Sequence, residues 1–205
     1  MLRKRTEIRV APGTVPVLVL FVTLVSPEGL AVLLLAALCH EMGHYLVLWY
    51  CGAAVERVSV SPLGVAMQLA QRPQLSYGQE LAAVAAGPVV NLLLAVTLSA
   101  LGSVGEWVYA AAGAHLVLGL FNLLPIRPLD GGTMLWLAVA WRWDPFIADR
   151  AARVIGGAAV LMICACGVWL WRQTGNPFLL LGAAGLFPWR ELRKRTCKRE
   201  KKQVK

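Results

Sequence analysis

No two cysteines in this sequence are spaced C-x-x-C, and the five present (Cys39, Cys51, Cys164, Cys166 and Cys197) are an odd number. The five read as small apolar side chains in reduced surroundings rather than as a disulfide framework. No internal repeat is visible, and there is no room for a second folded domain. Charge is also scarce where a soluble surface would need it. Residues 10–189 carry only seven basic and eight acidic side chains in 180 positions. The formal net charge of +9 therefore sits at the ends, net +3 over residues 1–9 and net +7 over residues 190–205. A charge so placed is not a nucleic-acid surface, and no nucleic-acid partner is expected. Lys and Arg flanking apolar segments mark the cytoplasmic side of a membrane, so both termini are expected in the cytoplasm. The basic tail can also touch anionic lipid headgroups.

What the chain has instead is apolar length. Hydrophobic residues make up 58% of it, more than the half usual for a soluble domain, and they are gathered into runs. The runs fall at 15–25, 29–49, 80–101, 105–124, 134–141, 153–171 and 177–189. Several approach the ~20 residues a helix needs to cross ~30 Å of hydrocarbon. A signal peptide would account for one of them, near the N-terminus. The chain reads as an all-α integral membrane protein of a bacterial cell membrane, with residues 1–189 as one domain and 190–205 as a basic tail. Seven spans would put the basic ends on opposite sides; six put both inside. The run to demote is 134–141, which is too short to span. It follows a stretch with Pro125, Arg127, Pro128, Asp130, Gly131 and Gly132, which cannot continue a lipid-exposed helix. Residues 105–142 are thus expected to form a broken fourth element, interrupted at 125–132. Residues 55–69 partly alternate around Pro62-Leu63-Gly64, consistent with a small β-hairpin or with an irregular loop. Most tryptophans, among them Trp49, Trp107, Trp141, Trp143, Trp171 and Trp189, fall at expected span ends, as interfacial anchors do.

Within the second run stands His40-Glu41-Met42-Gly43-His44. Side chains four apart leave the same face of a helix, so both imidazoles can reach one Zn²⁺. Glu41 follows His40 directly, where its carboxylate can reach a water beside the metal and act as general base. A carboxylate at mid-bilayer costs on the order of 3 kcal/mol even on insertion scales, and such groups normally have a functional partner. Catalytic zinc usually takes three protein ligands. The candidates for the third are Asp130, His115, Glu80 and Glu106. Glu80 and Glu106 lie at span edges; His115 lies mid-span and competes. Asp130 is preferred because a broken chain can bend toward a metal. With the N-terminus inside, Gly87-Pro88-x-x-Asn91 and residues 122–130 arrive at the depth of the histidine pair. Asn91 reads first as an interhelical hydrogen bond, with Gly87-Pro88 as a packing and kinking site.

The His40–His44 pentapeptide, Gly87-Pro88-x-x-Asn91 and Asn122-x-x-Pro125-x-x-Pro128-x-Asp130-Gly131, in that order, resemble the site-2 protease family of intramembrane metalloproteases. The likeness covers roughly residues 10–142 and is strongest to the short bacterial branch in which a sporulation protease falls. It implies that His40, His44 and Asp130 hold zinc, that Glu41 activates water and that Asn122 positions substrate. It further implies a hairpin near the substrate path after the second span, and cleavage that frees a cytoplasmic domain such as a transcription factor. The chain departs from many relatives in having neither a PDZ domain nor a CBS pair. Control is then expected from a regulatory membrane protein, the lipid bilayer or the supply of membrane-protein substrate. Two rivals stand beside the protease: a zinc- or proton-coupled transporter, and a catalytically silent relative that binds membrane proteins.

Overall fold

Ser26 begins the first helix as a cap whose hydroxyl accepts from Gly29 N–H at 3.2 Å, with Pro27 at the first helical position. The coordinates are a computed structural model describing residues 7–10, 25–53, 55–61, 64–69, 75–101 and 105–174. The expected spans at 15–25, apart from residue 25, and at 177–189 lie outside these residues, as does the basic tail. Helix α1 runs Pro27–Tyr50. It stops at Gly52, whose φ of 73° is the left-handed conformation that glycine takes without strain. Gly52 N–H bonds Trp49 O and Ala53 N–H bonds Leu48 O, each at 2.9 Å, which is a Schellman closure. Leu48 and Ala53 share one buried cluster, supplying the apolar contact that goes with it.

Three strands accompany the helices: β1 (Glu7–Val10), β2 (Val55–Ser61) and β3 (Gly64–Leu69), in the order β1-β2-β3. β2 and β3 pair antiparallel, with an irregularity between Val55 and Arg57; β1 pairs parallel to β2 from Glu7↔Arg57 to Val10↔Val60. Strand β1 lies at the end of the basic N-terminal stretch, where the sequence carries no strand pattern.

Helix α2 (Tyr77–Ala100) opens with a capping box, in which Ser76 and Gln79 each satisfy the other's backbone N–H. It packs against α1, α3 (Glu106–Asn122) and α4 (Asp130–Arg142), and so lies at the centre. α5 (Pro145–Thr174) packs on α4. Its first turn is held by Asp144, whose carboxylate accepts from Phe146 N–H at 2.7 Å.

Two boundaries differ from the sequence reading. The fourth element is two helices, and its break is residues 123–129; Asp130, Gly131 and Gly132 are already helical. The glycines serve close approach rather than interruption. A Cβ on Gly131 would run into the Leu123 carbonyl, and one on Gly132 into the backbone of Ile126. The helix that holds the run at 153–171 extends past it on both sides, from Pro145 to Thr174.

The distribution of side chains inverts that of a soluble protein. Buried positions are mostly small: Ala36, Ala83, Ala95, Ala112, Ala148, Ala152 and Ala159. Large apolar side chains such as Leu35, Leu38, Leu93, Val117 and Leu161 face outward. Small residues let helices approach where lipid supplies no hydrophobic drive between them. Gly43 shows how close: a Cβ there would lie 2.8 Å from the Ala86 carbonyl oxygen. Three of the described helices, α1, α2 and α5, are long and apolar enough to cross a membrane.

Candidate metal centre

His40 and His44 leave α1 one turn apart and face α2 and the start of α4. Their rings meet edge to face, with centroids 4.8 Å apart and planes at 84°. They fit there because α2 presents Gly87. A Cβ at that position would overlap His44 Nε2 and lie 2.9 Å from His40 Cε1. Gly87, read from sequence together with Pro88 as a packing and kinking site, therefore makes the recess that holds both imidazoles.

Asp130 comes from 86 residues beyond His44 and is fixed by what precedes it. Ile126 and Leu129, each 3% exposed, bury against Ala159 of α5. Arg127 lies 3.5 Å from Asp149, and its guanidinium stands over the Trp136 ring at 5.2 Å. Trp136 Nε1–H donates to the same Asp149 carboxylate at 2.7 Å. The break is thus tied to α4 and α5 on both sides, and Asp130 leaves it at the first residue of a helix, where a carboxylate is also favoured by the helix dipole.

Asp130 Oδ2 stands 2.9 Å from His40 Nε2 and 3.3 Å from His44 Nε2, and the two Nε2 atoms are 3.1 Å apart. A tetrahedral zinc with bonds of ~2.0–2.1 Å has ligand–ligand edges of about 3.3–3.4 Å. The observed triangle is within about 0.5 Å of that on every side, with two imidazole nitrogens and one carboxylate oxygen as donors. Among the described residues this is the group of three able to hold a metal ion together. The residues present fit zinc.

Supporting groups orient the ligands. The Ala83 carbonyl can only accept, so at 2.8 Å the His44 Nδ1 must be the donor, which leaves Nε2 of the neutral ring available to a metal. On the other ring, His40 Nδ1 is 3.2 Å from Asn91 Nδ2. Asn91 Oδ1 is in turn 3.1 Å from His115 Nδ1. Asn91 is 0% exposed, His40 4% and His115 6%, so this chain of bonds runs through the interior from α1 across α2 to α3.

Of the sequence candidates, then, His40, His44 and Asp130 meet. His115 stands behind Asn91 rather than at the ligand triangle. Glu80 lines a cleft with Ser76 and Trp141, and Glu106 sits in the first turn of α3. Glu41 is half-buried beside His40 on α1. Asn122 ends α3 and donates its Nδ2 to the Leu118 carbonyl of its own helix at 3.1 Å. Asn91 does form an interhelical hydrogen bond, and its partner is one of the metal-site histidines. The Ala83 carbonyl was missed altogether, since no residue type announces a backbone acceptor.

Residues 28–106 and 100–165 match the profile of Peptidase family M50. A putative zinc metalloprotease, Rip3, of Mycobacterium tuberculosis is 33% identical over 178 residues, covering 77% of this chain and 43% of that protein. Stage IV sporulation protein FB of Bacillus subtilis is 31% identical over 147 residues, covering 70% of this chain and 50% of that protein. The chain thus spans half or less of the length of these two relatives. The solved site-2 protease from Methanocaldococcus jannaschii shares the fold, with a TM-score of 0.67 at 22% identity over 91% of this chain and 89% of that one.

Proposed function

The chain belongs to Peptidase family M50, and on that premise we propose that it is an intramembrane zinc endopeptidase. It hydrolyses peptide bonds in or next to the transmembrane segments of membrane-tethered substrates. The observation that carries this reading is the triangle of His40, His44 and Asp130, drawn together from two separate helices at a recess shaped by Gly87.

His40, His44 and Asp130 would hold the zinc. When bound it supplies Lewis acidity, polarising the scissile carbonyl. The remaining work falls to side chains of this chain. Glu41 takes a proton from the attacking water and delivers it to the departing amide nitrogen, as a general base and then a general acid. An amide nitrogen carries two N–H groups, so Asn122, donating one to Leu118, retains a second with which to position substrate near the metal. The large apolar side chains that face outward suit a lipid bilayer, and substrates that share the bilayer reach the site laterally. The substrate must lose helicity locally, because an intact helix shields its carbonyls. Both basic ends lie on the cytoplasmic side in this reading, and the released product is a cytoplasmic domain. Control of the cut falls to a regulatory membrane protein, the lipid bilayer or the supply of substrate.

Glu41→Gln is the test. The purified variant is expected to keep its zinc and to lose cleavage by about 10²–10⁴-fold. In cells its substrates should accumulate uncut, which quantitative membrane proteomics would detect. Unchanged cleavage, or an unchanged membrane proteome alongside active wild type, would remove the enzymatic reading.

A further inference from the structure

The buried chain His40–Asn91–His115 has a polarity, and only one polarity lets His40 bind a metal. A neutral imidazole carries one proton. If Nε2 of His40 offers its lone pair to a metal, the proton sits on Nδ1, and Nδ1 needs an acceptor. The group 3.2 Å away is the Asn91 amide, one end of which accepts and the other donates. Its oxygen must therefore face His40. Its NH₂ then faces His115 Nδ1, 3.1 Å from the other end of the amide, and that nitrogen must hold a lone pair. His115 is then neutral, with its proton on Nε2. The reverse polarity places NH₂ against His40 Nδ1, forces the proton onto His40 Nε2, and closes that nitrogen to a metal. The structure sets Asn91 Nδ2 toward His40 Nδ1 and Oδ1 toward His115 Nδ1. The two ends of an amide are told apart by the network around them, and exchanging them keeps the heavy-atom positions while giving the polarity that leaves His40 open to a metal.

We propose that His115 is a positioning residue for the metal centre, acting through Asn91 to keep the Nε2 lone pair of His40 free for the metal that His40, His44 and Asp130 would share. Its lone pair on Nδ1 holds the amide in the orientation His40 requires. At 0% exposure Asn91 is shut off from bulk solvent, and the groups at the two ends of its amide are His40 and His115, so the orientation His40 requires calls for a lone pair on His115. This rests on His40 being a ligand, as proposed above, and it assigns His115 a role distinct from ligation.

The test is zinc affinity, measured on the purified full chain in detergent by competition with a chelating dye. His115→Leu is expected to weaken zinc binding by about 10–100-fold, the range for groups that orient a ligand. Asn91→Asp replaces the two-ended amide by a carboxylate, which accepts from His40 whichever way it lies. In that background the same His115→Leu change should alter affinity by no more than about threefold, so the two substitutions couple strongly. A packing role would instead give equal losses in both backgrounds, and that result overturns the proposal. Wild-type affinity in His115→Leu alone overturns it too. His115→Asn provides a second route should Asn91→Asp not fold. The Asn oxygen can accept where Nδ1 did, so affinity should stay near wild type; a loss equal to that of His115→Leu contradicts the proposal. His40→Ala, run alongside, separates the two readings. If it keeps full affinity, the ligand assignment itself fails. If it loses zinc while His115→Leu does not, only the positioning role fails.

Discussion

Gly87 is the residue on which the ligand geometry turns. Its missing Cβ is the space into which both imidazoles fit. Gly87→Ala would push a methyl into His44 Nε2, and withdrawing α1 to make room would give up the close packing that Gly43 makes on the Ala86 carbonyl. Zinc affinity should fall by about 10–100-fold, the size seen when a ligand's support is disturbed. Retained affinity in dye competition would show that the recess is not needed. Legibility at this scale was uneven. The His40–His44 pair could be read from spacing alone, because four residues return to the same helix face. The Gly87 recess was visible only as a helix-packing site, since its purpose depends on which side chains cross it. Asn91 and His115 were each noticed, but their connection was not: they lie on different helices, 24 residues apart, and one sequence does not fix the relative phase of two helices.

The element that decides where Asp130 stands is the seven-residue break between α3 and α4. It is irregular yet anchored, with Ile126 and Leu129 buried against Ala159 and Gly156 of α5 letting the Pro125 carbonyl come within 3.0 Å of where a Cβ would be. Ile126→Ala should lower stability by about 2–4 kcal/mol through the cavity it leaves. It should also weaken zinc binding, since the cluster holds the carboxylate's helix in place. Thermal denaturation and metal titration of one preparation check both; a destabilised variant with wild-type affinity would show that the anchoring and the site are independent. The existence of the break was readable from Pro125 and Pro128. Its extent was not, because Gly131 and Gly132 look like helix breakers in sequence and are in fact the thin side of a helix pressed against a loop. β1 was unreadable for a different reason: four residues of mixed polarity have no pattern until β2 is beside them.

Among the described residues, the buried ones are mostly small and many large apolar ones face outward, an arrangement that suits lipid. Leu38 stands near the middle of α1 with 59% exposure. A lysine there should oppose membrane insertion by about 2.5–3.5 kcal/mol. A glycosylation-based insertion assay reads this directly, with Leu38→Phe as the tolerated control; equal insertion of all three chains would mean that this face does not meet lipid. The composition made this much legible, since 58% hydrophobic residues in separated runs leave few soluble solutions. It did not reveal that a metal centre would hold α1 and α4 together across α2.

Zinc K-edge X-ray absorption of the purified chain examines that centre most directly. Two imidazole nitrogens and oxygen donors at about 2.0–2.1 Å are expected, with no sulfur at about 2.3 Å, and one imidazole shell should disappear in His44→Ala. A sulfur shell, or a wild-type spectrum unchanged in Asp130→Ala and His44→Ala alike, would contradict the account.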